Sequence, residues 1–192
     1  ISKLFESKIE SSLLKFDNSS QIFLEVFQKV EEGLKMMSFV DGSTLCLAMI
    51  CKDESGNRKV GTAHLGDARA LIVRKDGASR ELTKDHKPSN RPEFERIHES
   101  YGYLSNDNRV DGNLAVSRAI GDFSVYGIGR DPDPNEFEIG EMDKYLVICC
   151  DGVFDVLSND DVAKIAMIST STKEAAFNIR NAAYGCRSAD NI

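Results

Sequence analysis

The chain has 192 residues, 41% of them hydrophobic and 29% charged, the balance of an ordinary globular domain with a sizeable core. Its 31 acidic against 24 basic residues give a formal net charge of -7, which argues against a nucleic-acid surface, because a phosphate backbone is held by clustered Lys and Arg. An acidic chain can bind cations or can simply be well solvated, and the placement of its carboxylates must decide between the two.

Leu4, Phe5, Ile9 and Leu13 recur at helical spacing, and so do Ile22, Phe23, Val26, Phe27, Val30 and Leu34 behind the cap residues Ser19 and Ser20. The second set predicts an amphipathic helix over residues 20–36. The period then shortens. Thr44 to Cys51, Val60 to Leu65 and Ala70 to Arg74 are compact apolar runs, separated by the turn signals Ser55-Gly56-Asn57 and Asp76-Gly77, and they predict an antiparallel sheet. Between Thr83 and Gly140 the pattern loosens around Pro88, Pro92, Pro132 and Pro134, with one helix expected from about Glu93 to Ser100. Tyr145 to Cys150 reads as a strand ending at Asp151-Gly152. Two helices follow, residues 160–167 behind Ser158 and residues 172–184 behind Ser171, with Glu174 at capping-box spacing. The order predicts one α+β layered domain.

The five cysteines are odd in number, and Cys46, Cys51, Cys149 and Cys150 sit in or beside strand-like runs as small hydrophobes, pointing to a reducing compartment, cytoplasmic or nuclear. No two Cys-x-x-Cys pairs are present, so a cysteine zinc site is not expected. No apolar run, Tyr145 to Cys150 included, is long enough to cross a bilayer, so no membrane partner is expected.

Three short segments offer carboxylates. Asp151, with Asp155 one turn on, follows a buried strand, and Gly152 lets a ligand approach closely. Asp67 follows a second strand in Gly66-Asp67-Ala68-Arg69, and Asp190 stands in Ser188-Ala189-Asp190-Asn191-Ile192, before what reads as another strand. Each is also readable as a plain turn, with Asp67 paired to Arg69 in the second case. Taken together, aspartates from several strand ends are the donor set that Mg²⁺ or Mn²⁺ prefers. His64, His86 and His98 show no ligand spacing; no Gly-x-Ser-x-Gly elbow, activated Cys or phosphate-binding loop is present.

Six segments recur in the order and spacing of a known family: Asp41-Gly42-Ser43-Thr44, Leu65-Gly66-Asp67-Ala68-Arg69-Ala70, Leu82-Thr83-Lys84-Asp85-His86-Lys87-Pro88, Arg109 to Asp122, Cys150 to Ser158, and Ser188 to Ile192. In these the chain resembles the PP2C family of metal-dependent serine/threonine protein phosphatases. The resemblance implies a sandwich of two antiparallel β-sheets flanked by helices, phosphoprotein substrates, and a dinuclear Mg²⁺ or Mn²⁺ centre. Asp151 and Asp190 would be its ligands, and Asp67 and Asp155, with Asp151, would match a third, weaker position. It also implies direct attack on phosphorus by a metal-activated water, with no phosphoenzyme, and a flap over residues 86–135 beside the site. The family's Asp-Gly-His-Gly-Gly segment, which supplies a bridging Asp and a general-acid His, has no counterpart in these 192 residues, so no general-acid residue is assigned. Ala68 and Phe154 stand where the family usually has Ser and Trp. The chain is expected to be one domain, residues 1–192, matching the C-terminal two thirds of the family fold and incomplete at both ends. The alternative is a pseudophosphatase, a protein-binding adaptor or regulator on the same fold.

Overall fold

A computed structural model describes residues 19–53 and 55–192; the helix expected around Leu4 to Leu13 lies outside them. The described chain runs α1 (Ser19–Met36), β1 (Gly42–Ser43), β2 (Leu45–Lys52), β3 (Arg58–Leu65), β4 (Arg69–Arg74), β5 (Ser79–Glu81), α2 (Arg91–Glu99), β6 (Ile120–Gly121), β7 (Asp133–Glu138), β8 (Asp143–Cys149), α3 (Asp151–Phe154), α4 (Asn159–Ile168) and α5 (Thr172–Gly185).

Two three-stranded antiparallel sheets, β2-β3-β7 and β5-β4-β8, make the centre, and β1-β6 is a separate two-stranded ribbon whose Ile120 packs with Phe23 and Phe27 of α1. Strand alternation divides each sheet into two faces. Val60 of β3 and Ala70 and Ile72 of β4 pack together with Leu82 between the sheets, backed by Cys46, Ala48, Phe137 and Leu146. The opposite face of β3, through Ala63 and Leu65, meets Phe23 and Phe27 of α1. The opposite face of β4, through Leu71 and Val73, meets Val162, Ala163 and Ala166 of α4 and Ala175, Ile179 and Ala183 of α5. The result is a helix-sheet-sheet-helix sandwich, as expected. Each fully buried Leu, Ile, Val or Phe in it contributes about 1.5–3 kcal/mol relative to exposure. Gly61 lets α1 come close, because a Cβ there would stand 3.1 Å from the Phe23 ring.

Three local expectations are corrected. β7 falls in the stretch read as loop. It carries Pro134 and three acidic residues, yet it pairs with β3 along its length as an edge strand, where a missing N–H is tolerated. At α4 the capping box is complete, between Ser158 and Asp161. At α5 only half of it forms, because Ser171 accepts from the Glu174 N–H while the Glu174 carboxylate bonds the N–H and hydroxyl of Thr170. Residues 188–192 form no strand.

Candidate metal centre

One end of the sandwich gathers the aspartates. β3 leaves the sheet through Gly66 at φ +90°, where a Cβ would stand 2.3 Å from Thr44 Cγ2, so glycine is required. Asp67 follows, 3% exposed. β8 ends at Cys149, directly opposite Arg69 at the start of β4. Asp151 then opens the single turn α3, and Asp155 closes it. Asp190 arrives from the chain beyond α5. A Cβ on Gly152 would lie 2.1 Å from the Asn191 carbonyl oxygen, and the Cys150 thiol donates to that same oxygen at 3.2 Å. Glycine at 152 therefore lets the Asp190-Asn191 segment lie against the backbone that carries Asp151.

The charges show the proximity. Partial burial raises the Asp151 carboxyl above the ordinary range, and Asp67, Asp190 and Asp155 raise it further by repulsion. Those are the four aspartates singled out in the sequence. A cation already answers part of this charge: the Lys87 ammonium sits on Asp67 Oδ2. Burial works against the Lys87 charge, but the bond to Asp67 and the charges of Asp67, Asp155 and Asp85 outweigh it, and its pKa is raised. The expected Asp67–Arg69 pair does not form. Arg69 instead forks onto Asp85, Nε to Oδ1 at 3.0 Å and Nη2 to Oδ2 at 2.8 Å, donates to Asn159 at 2.6 Å and lies over the Phe154 ring.

An all-oxygen donor set that concentrates negative charge suits a hard divalent cation. Among the described residues no three of these four carboxylates bring their oxygens within 4.8 Å of one another. That spacing fits an ion that keeps several waters and is held partly through them, as Mg²⁺ commonly is.

Two further groups were not legible in the sequence. Glu93 of α2, 5% exposed, accepts from Arg118, Arg96 and the Ser117 hydroxyl. Burial opposes its charge, yet the hydrogen bonds from Arg118 and Ser117 and the charges of Arg118 and Arg96 hold it at about 2. This buried junction organises the stretch that reads as loop in sequence. The other group is His64, His86 and Asp133, with one ring nitrogen or carboxylate oxygen of each within 4.8 Å of the rest. They are 22 and 47 residues apart, beyond any spacing rule, and only the β3–β7 register, which sets His64 opposite Asp133, could have signalled it.

The cysteines are unpaired, and burial raises Cys46 to about 12 and Cys149 to about 11, so these thiols stay protonated as packing groups. No helix among the described residues is long and apolar enough to cross a membrane.

Comparison with known proteins agrees with this architecture. The family model for protein phosphatase 2C matches residues 3–192. "Probable protein phosphatase 2C 56" of Oryza sativa is 31% identical over 98% of this chain and 54% of its own length. "Protein phosphatase 2C homolog 2" of Aspergillus fumigatus is 32% identical over 82% of this chain and 37% of its own. The chain thus spans about a third to a half of these curated relatives. Among solved structures, a Caenorhabditis elegans sex-determining protein superposes with a TM-score of 0.82 at 23% identity, covering 98% of this chain and 48% of that one. The serine/threonine phosphatase Stp1 of Staphylococcus aureus gives 0.67 at 16%, covering 98% and 73%. With the matched family model spanning nearly the whole sequence and the sandwich present, this chain belongs to the protein phosphatase 2C family.

Proposed function

We propose that this chain is the part of a protein phosphatase that holds Mg²⁺ or Mn²⁺ through Asp151, Asp190, Asp67 and Asp155 and presents it to phosphoserine or phosphothreonine in proteins. The observation that carries the reading is that Asp67, Asp190 and Asp155, which with Asp151 come from three separate connections, all act on the Asp151 carboxyl at one end of the sandwich. A hard divalent ion bound there supplies positive charge for a phosphoryl oxygen and lowers the pKa of a water for in-line attack. The chain's own residues do the rest. β3 and β8 hold Asp67 and Asp151 on rigid strand ends, Gly152 admits the Asp190 segment, and Lys87 neutralises Asp67. The described residues place no activated Ser or Cys at this end, which is consistent with a water as nucleophile. Residues 86–135 begin with His86 and Lys87 at this end, which supports a flap role in substrate choice. The unpaired thiols support a cytoplasmic or nuclear setting.

The test is release of phosphate from a phosphothreonine peptide by the protein carrying this chain, with millimolar Mn²⁺, beside EDTA-treated and Asp151→Asn samples. Turnover confined to the untreated protein is the expected result. A folded protein that binds phosphopeptide without any metal-dependent turnover would replace this reading by the adaptor one.

A further inference from the structure

His64, His86 and Asp133 meet from three elements. His64 is on the inner face of β3, completely buried; His86 is 4% exposed in the connection after β5; Asp133 is half-buried at the start of β7, directly across from His64. The two rings stack with centroids 4.2 Å apart and planes 5° from parallel. His64 Nε2 lies 2.9 Å from the Lys84 carbonyl oxygen, which can only accept, so Nε2 carries the proton and Nδ1 keeps its lone pair. That Nδ1 is buried and has no hydrogen-bond partner, so a buried acceptor is left unsatisfied. Among the described residues the Asp133 carboxylate likewise has no hydrogen-bond or ion-pair partner. His86 Nδ1 also keeps its lone pair, spent on a long 3.2 Å bond from the Gly66 N–H.

We propose that His64, His86 and Asp133 form a transition-metal site, Zn²⁺ being the best match, separate from the aspartate centre and placed beneath the turn that carries Asp67. Two neutral imidazoles and one carboxylate are a ligand set of zinc sites with an open fourth position. Both ring nitrogens with lone pairs are available without moving a proton. The Lys84 carbonyl behind His64 supplies the outer hydrogen bond that fixes tautomer and orientation in such sites. Donor separations of up to 4.8 Å must close to roughly 3.4 Å around an ion with 2.1 Å bonds, and because the stacked rings aim their in-plane lone pairs along nearly parallel planes, one imidazole must also turn out of the stack, His86 giving up its long Gly66 bond to do so. Arg96 and Arg118 act on His86 electrostatically, but Glu93 pairs with both and itself acts on His86 in the opposite sense. Cys46 stands opposite His64 on β2 yet remains protonated and outside the trio. Occupancy would brace Gly66, whose N–H and carbonyl both bond to His86, and through it Asp67.

The chain has three histidines, so ring-nitrogen NMR reads the site directly. One equivalent of Zn²⁺ is expected to shift the His64 and His86 rings and leave His98 in place, in the wild type and equally in Asp151→Asn, which leaves this site intact. Asp133→Asn, half-buried and conservative in shape, should weaken Zn²⁺ at least tenfold, and His64→Asn should do so further. Cobalt in place of zinc should show nitrogen and oxygen ligation without thiolate bands. Should His64→Asn fail to fold, the Asp133→Asn titration and the wild-type spectrum still decide. Unmoved His64 and His86 signals, unchanged affinity in folded Asp133→Asn, or binding lost with Asp151→Asn would overturn the site. None of these readouts depends on phosphatase activity.

Discussion

Two polar groups occupy the same end of β3 and are built on opposite terms. The aspartates lie past the strand ends, from buried Asp67 to exposed Asp155 and Asp190, and their mutual repulsion is relieved by Lys87 and by solvent. Of the histidine trio, His64 and His86 lie within the sandwich with half-buried Asp133 at their rim, and the His64 Nδ1 has no hydrogen-bond partner. In the first group charge is concentrated and water is near, which suits an ion that keeps its waters. In the second, charge is low and water is scarce, which suits an ion held by direct bonds. Position along one strand, by a few residues, thus changes the kind of cation that each proposed group would suit.

Substitutions that strike one group and spare the other test this contrast. Asp151→Asn should have the largest effect, cutting Mn²⁺ affinity by more than the roughly 10- to 100-fold that loss of an outer hydrogen-bond partner costs. The metal-free fold should hold, because one repelling charge is gone; Mn²⁺ titration and urea unfolding check both halves. Unchanged Mn²⁺ affinity would take Asp151 out of the centre.

Glu93→Ala should come next, at about 3 kcal/mol by chemical unfolding, since it leaves Arg118 and Arg96 without their partner. It reaches the histidine side through Ser117, whose N–H bonds the His86 carbonyl at 2.9 Å. The same carboxyl predicts a pH dependence. Its folded pKa of about 2 lies below the ordinary 4.5, so its stabilisation is complete above pH 4.5 and is lost as pH falls toward 2. Glu93→Gln should flatten the acid limb in that window, and an unchanged limb would show that other carboxyls set it.

Gly152→Ala should cost about 1–3 kcal/mol, as its methyl meets the Asn191 carbonyl, and should weaken Mn²⁺ by moving Asp190. Gly140→Ala, with open space around it, is the near-neutral control. Lys87→Gln should have the smallest effect. It frees Asp67 and should tighten Mn²⁺ roughly three- to tenfold, on the order of 1 kcal/mol for a partly exposed pair; weaker Mn²⁺ binding would mean that Lys87 positions Asp67 and does not compete at it.

Much of the fold was legible because local pattern and tertiary role agree. The α1 stripe of Ile22, Phe23, Val26 and Phe27 is buried, and the three apolar runs are β2, β3 and β4. β7 escaped because its acidic residues and Pro134 have low strand propensity, and pairing with β3 overrides that. The four aspartates stand out in the sequence because each follows a strand or lies in a family segment. Their ion-pair partners were not, since Lys87 and Asp85 reach Asp67 and Arg69 across 20 and 16 residues.

By itself the sequence determined the layered α+β class and the family, and it singled out the aspartates proposed as the metal centre, because apolar period, glycine placement and short motifs are local properties of the chain. The tertiary structure alone decided who neutralises whom and that His64, His86 and Asp133 meet. Strand register and the return of distant loops set those contacts, and neither leaves a mark at short range in the sequence.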